Sequence, residues 1–135
     1  MERKVKHLEL IQSVINRMAN NSFYIKGWCV TIVAAILGLI SKDINKRLFA
    51  VVYFPILMFW ILDSFFLHQE KLFRTLYDSV RILDEDKIDF SMTPSQTDRE
   101  NNKWIDNFFS STLLLFYGIM ALVTCVAIAI LHDWI

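Results

Sequence analysis

The sequence predicts an all-α, multi-pass membrane protein with three transmembrane helices, the first two forming a long antiparallel hairpin that extends into the cytosol. Three observations carry this expectation. Of the 135 residues, 55% are hydrophobic and the mean hydropathy is +0.39, too apolar for an ordinary soluble domain of this size. Three apolar runs, 23–41, 48–67 and 108–131, reach or approach the roughly 20 residues that a helix needs to cross a hydrocarbon core. The first two are flanked, on the same side of the hairpin, by polar stretches whose apolar residues recur at helical spacing. The chain 1–135 therefore reads as a single membrane domain.

In order along the chain, residues 1–22 form a cytosolic amphipathic helix, with Val5, Leu8, Ile11, Ile15 and Met18 on one stripe. The first span, 23–41, follows with no proline or glycine break before it, and its one charge is Lys26, close enough to the helix end to snorkel. Asn16, Asn20, Asn21 and Ser22 cluster where it starts and suit a bend, a cap or hydrogen bonds between subunits. A polar link, 42–47, turns the chain into the second span, 48–67, which holds Asp63 and a Pro55 expected to kink it. Residues 68–83 continue as a cytosolic helical extension with a stripe of Leu72, Phe73, Leu76, Val80 and Leu83. An acidic loop, 84–93, carries Asp84, Glu85, Asp86 and Asp89, a candidate partner or trigger loop. Thr93-Pro94-Ser95-Gln96 reads as a helix start, with Thr93 as cap and Gln96 completing a capping box. One helix is expected over 94–132: a cytosolic start at 94–107, then the charge-free third span 108–131.

Lys26 and Asp63 are the most informative residues. Each lies about 18 residues from the middle of the 42–47 link, so at a constant helical rise the two charges reach the same level of the bilayer. Ionisable groups within a span are costly and normally explained by a partner or a function. A structural pair is the favoured reading, with a proton or ion path through Asp63 as the functional alternative. The same register, to within a residue or two, sets Arg17 opposite Glu70, Glu9 opposite Arg81, Lys6 opposite Asp84, Lys4 opposite Glu85 and Arg3 opposite Asp86.

The positive charges fix an orientation. Residues 1–26, up to the start of the first span, carry Arg3, Lys4, Lys6, Arg17 and Lys26, and Lys71, Arg74, Arg81, Lys87, Arg99 and Lys103 lie between the second and third. Only Lys42, Lys46 and Arg47 occupy the link, and none follows the third span. The bias predicts an N-terminus in the cytoplasm and a C-terminus outside. No cleavable leader is expected. Trp28, Trp104 and Trp134 are candidate interfacial anchors.

Little here suggests chemistry. Cys29 and Cys125 read as free thiols, and His7, His68 and His132 are scattered without metal-ligand spacing. There is no nucleophile-base-acid set, no phosphate loop and no nucleic-acid motif, so neither an enzyme, a cofactor nor a nucleic-acid polymer is expected. Ser110, Ser111 and Thr112 are candidate inter-helix or pore-lining hydroxyls. Gly118, Ala121, Ala127 and Ala129 would let third helices approach one another in a homo-oligomer.

A resemblance rests on His7-Leu8-Glu9-Leu10-Ile11-Gln12, Asn16-Arg17-Met18-Ala19, Asn21-Ser22-Phe23, Lys26-Gly27-Trp28-Cys29-Val30-Thr31, Phe59-Trp60-Ile61-Leu62-Asp63 and Gln69-Glu70-Lys71-Leu72-Phe73-Arg74. Over roughly residues 5–90 the chain resembles a group of small bacterial multi-helix membrane proteins. In layout it is similar to the SLATT type of two-helix membrane domain, an effector of nucleotide-signalled antiphage systems; the third span departs from that pattern. The resemblance implies an oligomeric inner-membrane effector that permeabilises or depolarises the membrane when triggered through its cytosolic helices. A cytosolic sensor protein or a nucleotide signal would be the partner. A constitutive small ion channel or transporter subunit is the second expectation, and a scaffold anchoring a cytosolic partner the third.

Overall fold

The computed structural model describes residues 2–42, 46–101 and 103–133, and all regular structure among them is helical. Trp134 and residues 43–45 of the link lie outside the described residues. The described residues form five α-helices: α1 (Glu2–Ile40), α2 (Tyr53–Arg81), α3 (Gln96–Asn101), α4 (Trp104–Phe108) and α5 (Ser111–Asp133). Among the described residues three helical stretches, Glu2–Ile40, Arg47–Arg81 and Ser111–Asp133, are long and apolar enough to cross a membrane.

α1 is one unbroken helix of 39 residues, about 58 Å long and roughly twice the thickness of a hydrocarbon core. The Asn16–Ser22 polar cluster neither caps nor interrupts it: Asn16 instead accepts a hydrogen bond from Gln12 one turn earlier, at 3.1 Å. α2 starts five residues later than the apolar run does. Lys46–Val52 winds as a 3-10 helix, and Pro55 falls within the first turn of α2. Proline has no N–H to offer a carbonyl four residues back, so it is accommodated at a helix start and not as a mid-helix kink.

α1 and α2 pack side by side, with early residues of one against late residues of the other. Two apolar clusters hold them. Ile11 and Ile15 of α1 bury against Leu76 and Val80 of α2 and against Ile88 of the following loop. Farther along, Cys29, Val33 and Ile40 bury with Val52, Ile56, Leu113 and Tyr117, which brings in α5. The predicted stripes are buried in their middles and exposed at their ends, Val5 and Leu83.

The predicted ladder of charges takes a different form. Arg3 meets Glu85 at 3.6 Å, not Asp86. Glu70 pairs with Arg74 at 2.8 Å and Arg81 with Asp78 at 3.3 Å, each within α2. Asp84 lies 3.8 Å from Lys87 within the loop. Exposed charges find partners one turn away on their own helix at less cost in side-chain order than across to another. Lys4 does cross: its Nζ donates to the carbonyl oxygens of Arg81 at 2.9 Å and Leu83 at 2.7 Å. These carbonyls close the C-terminal end of α2, where free acceptors and the negative pole of the helix favour a cation. Lys4→Met should therefore cost about 0.5–1 kcal/mol and reduce hydrogen-exchange protection in the last turn of α2, with the α5 amides unchanged.

The single helix expected over 94–132 is three. Ser95, not Thr93, starts the first: its Oγ accepts the Asp98 N–H at 3.1 Å, while Pro94 sits buried just before it. Lys103 is extended (φ −82°, ψ 139°), which separates α3 from α4. Phe109 (φ −97°, ψ 16°) ends α4, and Ser110 opens α5 by accepting the Leu114 N–H at 2.9 Å. Breaking the helix at Phe109 leaves the Phe108 carbonyl free, and Trp60 of α2 uses it: the indole Nε1–H donates to that oxygen at 2.9 Å.

Candidate functional site

Between the two apolar clusters lies a polar knot tying α1, α2 and α5 together. Asp63 is 0% exposed, and its carboxylate receives three side-chain donors. Lys26 Nζ donates to Oδ2 at 2.6 Å, Tyr117 Oη donates to the same oxygen at 3.0 Å, and Ser22 Oγ donates to Oδ1. Lys26 also donates to Ser22 Oγ at 2.8 Å, so Ser22 passes the interaction from the ammonium to the far carboxylate oxygen.

Local sequence explains each placement. Ser22 and Lys26 are four apart on α1 and so share a face. Asp63 lies on the side of α2 that also buries Ile56. Tyr117 is the one polar side chain of its turn of α5, fully buried, with its hydroxyl also 3.2 Å from the Phe59 carbonyl. Its single proton serves one acceptor at a time, and the carboxylate is the stronger. Lys26 reaches in from the edge: its side chain is 21% exposed and its Nζ lies 5.8 Å from the Phe116 ring centre. One positive and one negative charge, each further hydrogen-bonded, make the knot neutral and satisfied, which is the condition for burying charge at all.

A second set of contacts holds the 103–117 segment to α2. The Trp60 ring stacks parallel to Phe108 (centroids 4.5 Å apart, planes at 6°) and to Tyr117 (5.8 Å, 4°). One turn beyond Ser64, Asn107 Nδ2 lies 3.1 Å from His68 Nδ1 and also donates to the Lys103 carbonyl at 3.1 Å. Burial of His68, then the positive charges of Arg99 and Lys71, hold its pKa below the usual imidazole value. A neutral ring with Nδ1 unprotonated is what the Asn107 amide requires as acceptor.

The remaining sequence candidates are placed as follows. Ser110 caps α5, while Ser111 and Thr112 are exposed on its first turn, so the three hydroxyls do not gather on one lumen within a single chain. The acidic loop forms a short 3-10 turn, Glu85–Lys87, and Asp89 Oδ1 accepts the Ser91 N–H at 3.0 Å. Among the described residues no group of three or more histidine, cysteine or acidic side chains is arranged to hold a metal ion. Cys29 is buried and Cys125 exposed, both as free thiols. Sequence reasoning missed Tyr117, Trp60 and the Asn107–His68 contact. Tyr117 carried a usable signal, a phenol within an apolar run.

Compared with known protein families, curated proteins and solved structures, the chain matches no family model, no curated protein and no structure.

Proposed function

We propose that the chain is an oligomeric inner-membrane effector of a bacterial antiphage defence response, which permeabilises or depolarises the membrane when triggered through its cytosolic helices. The observation that carries the membrane part is the apolar surface left uncovered on three long helices. Phe23, Trp28 and Leu39 on α1, Phe54 and Met58 on α2, and Leu115, Leu122 and Val126 on α5 are all exposed. Surface of this kind on helices of spanning length is stable only against lipid or against further apolar protein. In this reading α1 and α2 form the antiparallel hairpin, with the Ile11–Val80 cluster in the cytosol and the Cys29–Tyr117 cluster in the bilayer. The arginines and lysines of 1–26 and 68–107 then face the cytoplasm.

An aqueous path needs several copies, since Cys29, Leu113 and Tyr117 fill the centre of one. The face of α5 that carries Gly118 is available for them: a Cβ built on Gly118 would meet nothing within 4 Å. The role in defence rests on the SLATT-like layout. The buried knot supports a gating part, because it is the place where movement of α1 along α2 would have to break charged hydrogen bonds that also hold α5.

Induced expression with its genomic neighbours, followed with a potential-sensitive dye, tests the proposal. An effector collapses the membrane potential within the time course of induction. A scaffold leaves the potential untouched, and a transporter subunit gives solute-dependent flux that follows Asp63 protonation; either result replaces the effector reading.

A further inference from the structure

Where the loop after α2 folds back on the start of α1, a cleft of about 290 Å³ is lined by Arg3, Lys6, His7, Leu10, Phe90 and Met92. Its chemistry is divided. Arg3 and Lys6 bring two cations to the first turns of α1, at the positive end of the helix dipole. The Arg3 guanidinium is 80% exposed and only loosely held by Glu85, and Lys6 is exposed. Leu10, Phe90 and Met92 supply an apolar wall. His7 stands between them, 4% exposed, and its Nε2 is buried with no hydrogen-bond partner. A buried nitrogen left unpaired is rare enough to require a reason. The Phe90 ring lies edge-on to the imidazole, 5.4 Å between centroids, and its backbone is in the left-handed region (φ 58°), a conformation an aromatic residue seldom keeps.

We propose that this cleft binds a small phosphate monoester with an apolar or aromatic body. Lys6 and Arg3 meet the phosphate oxygens, His7 donates its Nε2–H to the same group as Phe90 moves off the imidazole, and Leu10, Phe90 and Met92 pack on the body. Two cations and a third donor match the charge and the three oxygens of a phosphate monoester better than the two oxygens of a carboxylate. The volume is at the low end for small-molecule sites and far too small for a folded partner. In the proposed effector the cleft lies at the far end of the helix pair that leads to the Lys26–Asp63 knot. Binding itself does not rest on that reading, because it is measured on the chain without any membrane potential.

The experiment titrates phenyl phosphate into the full-length chain in detergent micelles, by calorimetry and by the ring resonances of His7 in proton-carbon correlation spectra. Saturable binding of one ligand per chain with a shift of the His7 resonances is expected. Lys6→Gln should weaken it by at least about tenfold, the loss of one charge-assisted hydrogen bond, and His7→Gln by a similar factor. Lys6 is exposed, so Lys6→Gln keeps the fold, which an unchanged helical circular dichroism spectrum verifies. Inorganic phosphate, lacking the body, should bind about tenfold more weakly than phenyl phosphate. No saturable binding, or binding unchanged in both variants, overturns the site. Equal affinity for the two phosphates overturns the apolar half of the assignment. Binding of phosphatidic acid vesicles with the His7 shift, and none of phenyl phosphate, overturns the small-ligand assignment in favour of a lipid headgroup.

Discussion

Lys26→Met should destabilise the folded chain more than Asp63→Leu, and the double substitution should recover most of the loss. The asymmetry comes from burial. Without Lys26, Asp63 remains 0% exposed with only two neutral hydroxyl donors, from Ser22 and Tyr117, to compensate its burial. Removing one partner of a buried ion pair costs about 3–5 kcal/mol, and this side belongs at about 5 kcal/mol. Without Asp63, Lys26 keeps Ser22 as an acceptor and, being 21% exposed, can swing its ammonium outward, so the cost belongs at about 3 kcal/mol. Lys26→Met with Asp63→Leu removes both charges and fills the space with apolar atoms, a replacement that is often neutral. Reversible unfolding in mixed micelles by denaturing detergent, followed by circular dichroism, measures all three. A double variant no more stable than the worse single one would defeat the structural role of the pair. If the native chain depolarises the membrane as proposed, restored stability without depolarisation would instead show that the charges are needed for function.

This pair was legible in sequence because its depth depends on almost nothing but helical rise counted from one short link. The other charges were not legible in the same way. Arg17, Glu9 and Lys6 sit at the right register to meet Glu70, Arg81 and Asp84, yet register alone does not select a partner on an exposed surface. There the nearest opposite charge on the same helix wins, as Arg74 does for Glu70 and Asp78 for Arg81. The apolar stripes fixed the packing of α1 on α2, and the charges follow it. Tyr117 was hidden by a different error. With one helix assumed from residue 94 to 132, its depth cannot be counted from any fixed edge. Once α5 is seen to begin at Ser111, Tyr117 lies six residues in, about 9 Å along the axis, close to the depth of Asp63 before His68. The break itself depends on Trp60, which reads in sequence as one more aromatic in an apolar run. Its role appears only when the Phe108 carbonyl comes free.

Trp60→Ala should therefore act well beyond its own position. The indole stacks parallel to two rings and donates to the Phe108 carbonyl, so its removal takes away two ring contacts and leaves that carbonyl unpaired. Truncating a large packed aromatic costs about 3–5 kcal/mol. The loss should concentrate in the contact between α2 and the 103–117 segment, since the Ile11–Val80 cluster lies elsewhere and shares no residue with it. Trp60→Phe separates the two contributions: a phenyl ring keeps stacking area but loses the N–H donor, for a cost nearer 1–2 kcal/mol. Limited proteolysis between Lys103 and Ser110 reads the local effect. Trp60→Ala should expose this segment to cleavage while Glu2–Arg17 of α1 stays protected, and Trp60→Phe should leave both protected. Uniform loss of protection along the chain would mean that the three helices unfold as one unit. In that case the knot at Asp63 is not a joint between a stable helix pair and a detachable third helix, and a gate working through it would have to move all three together.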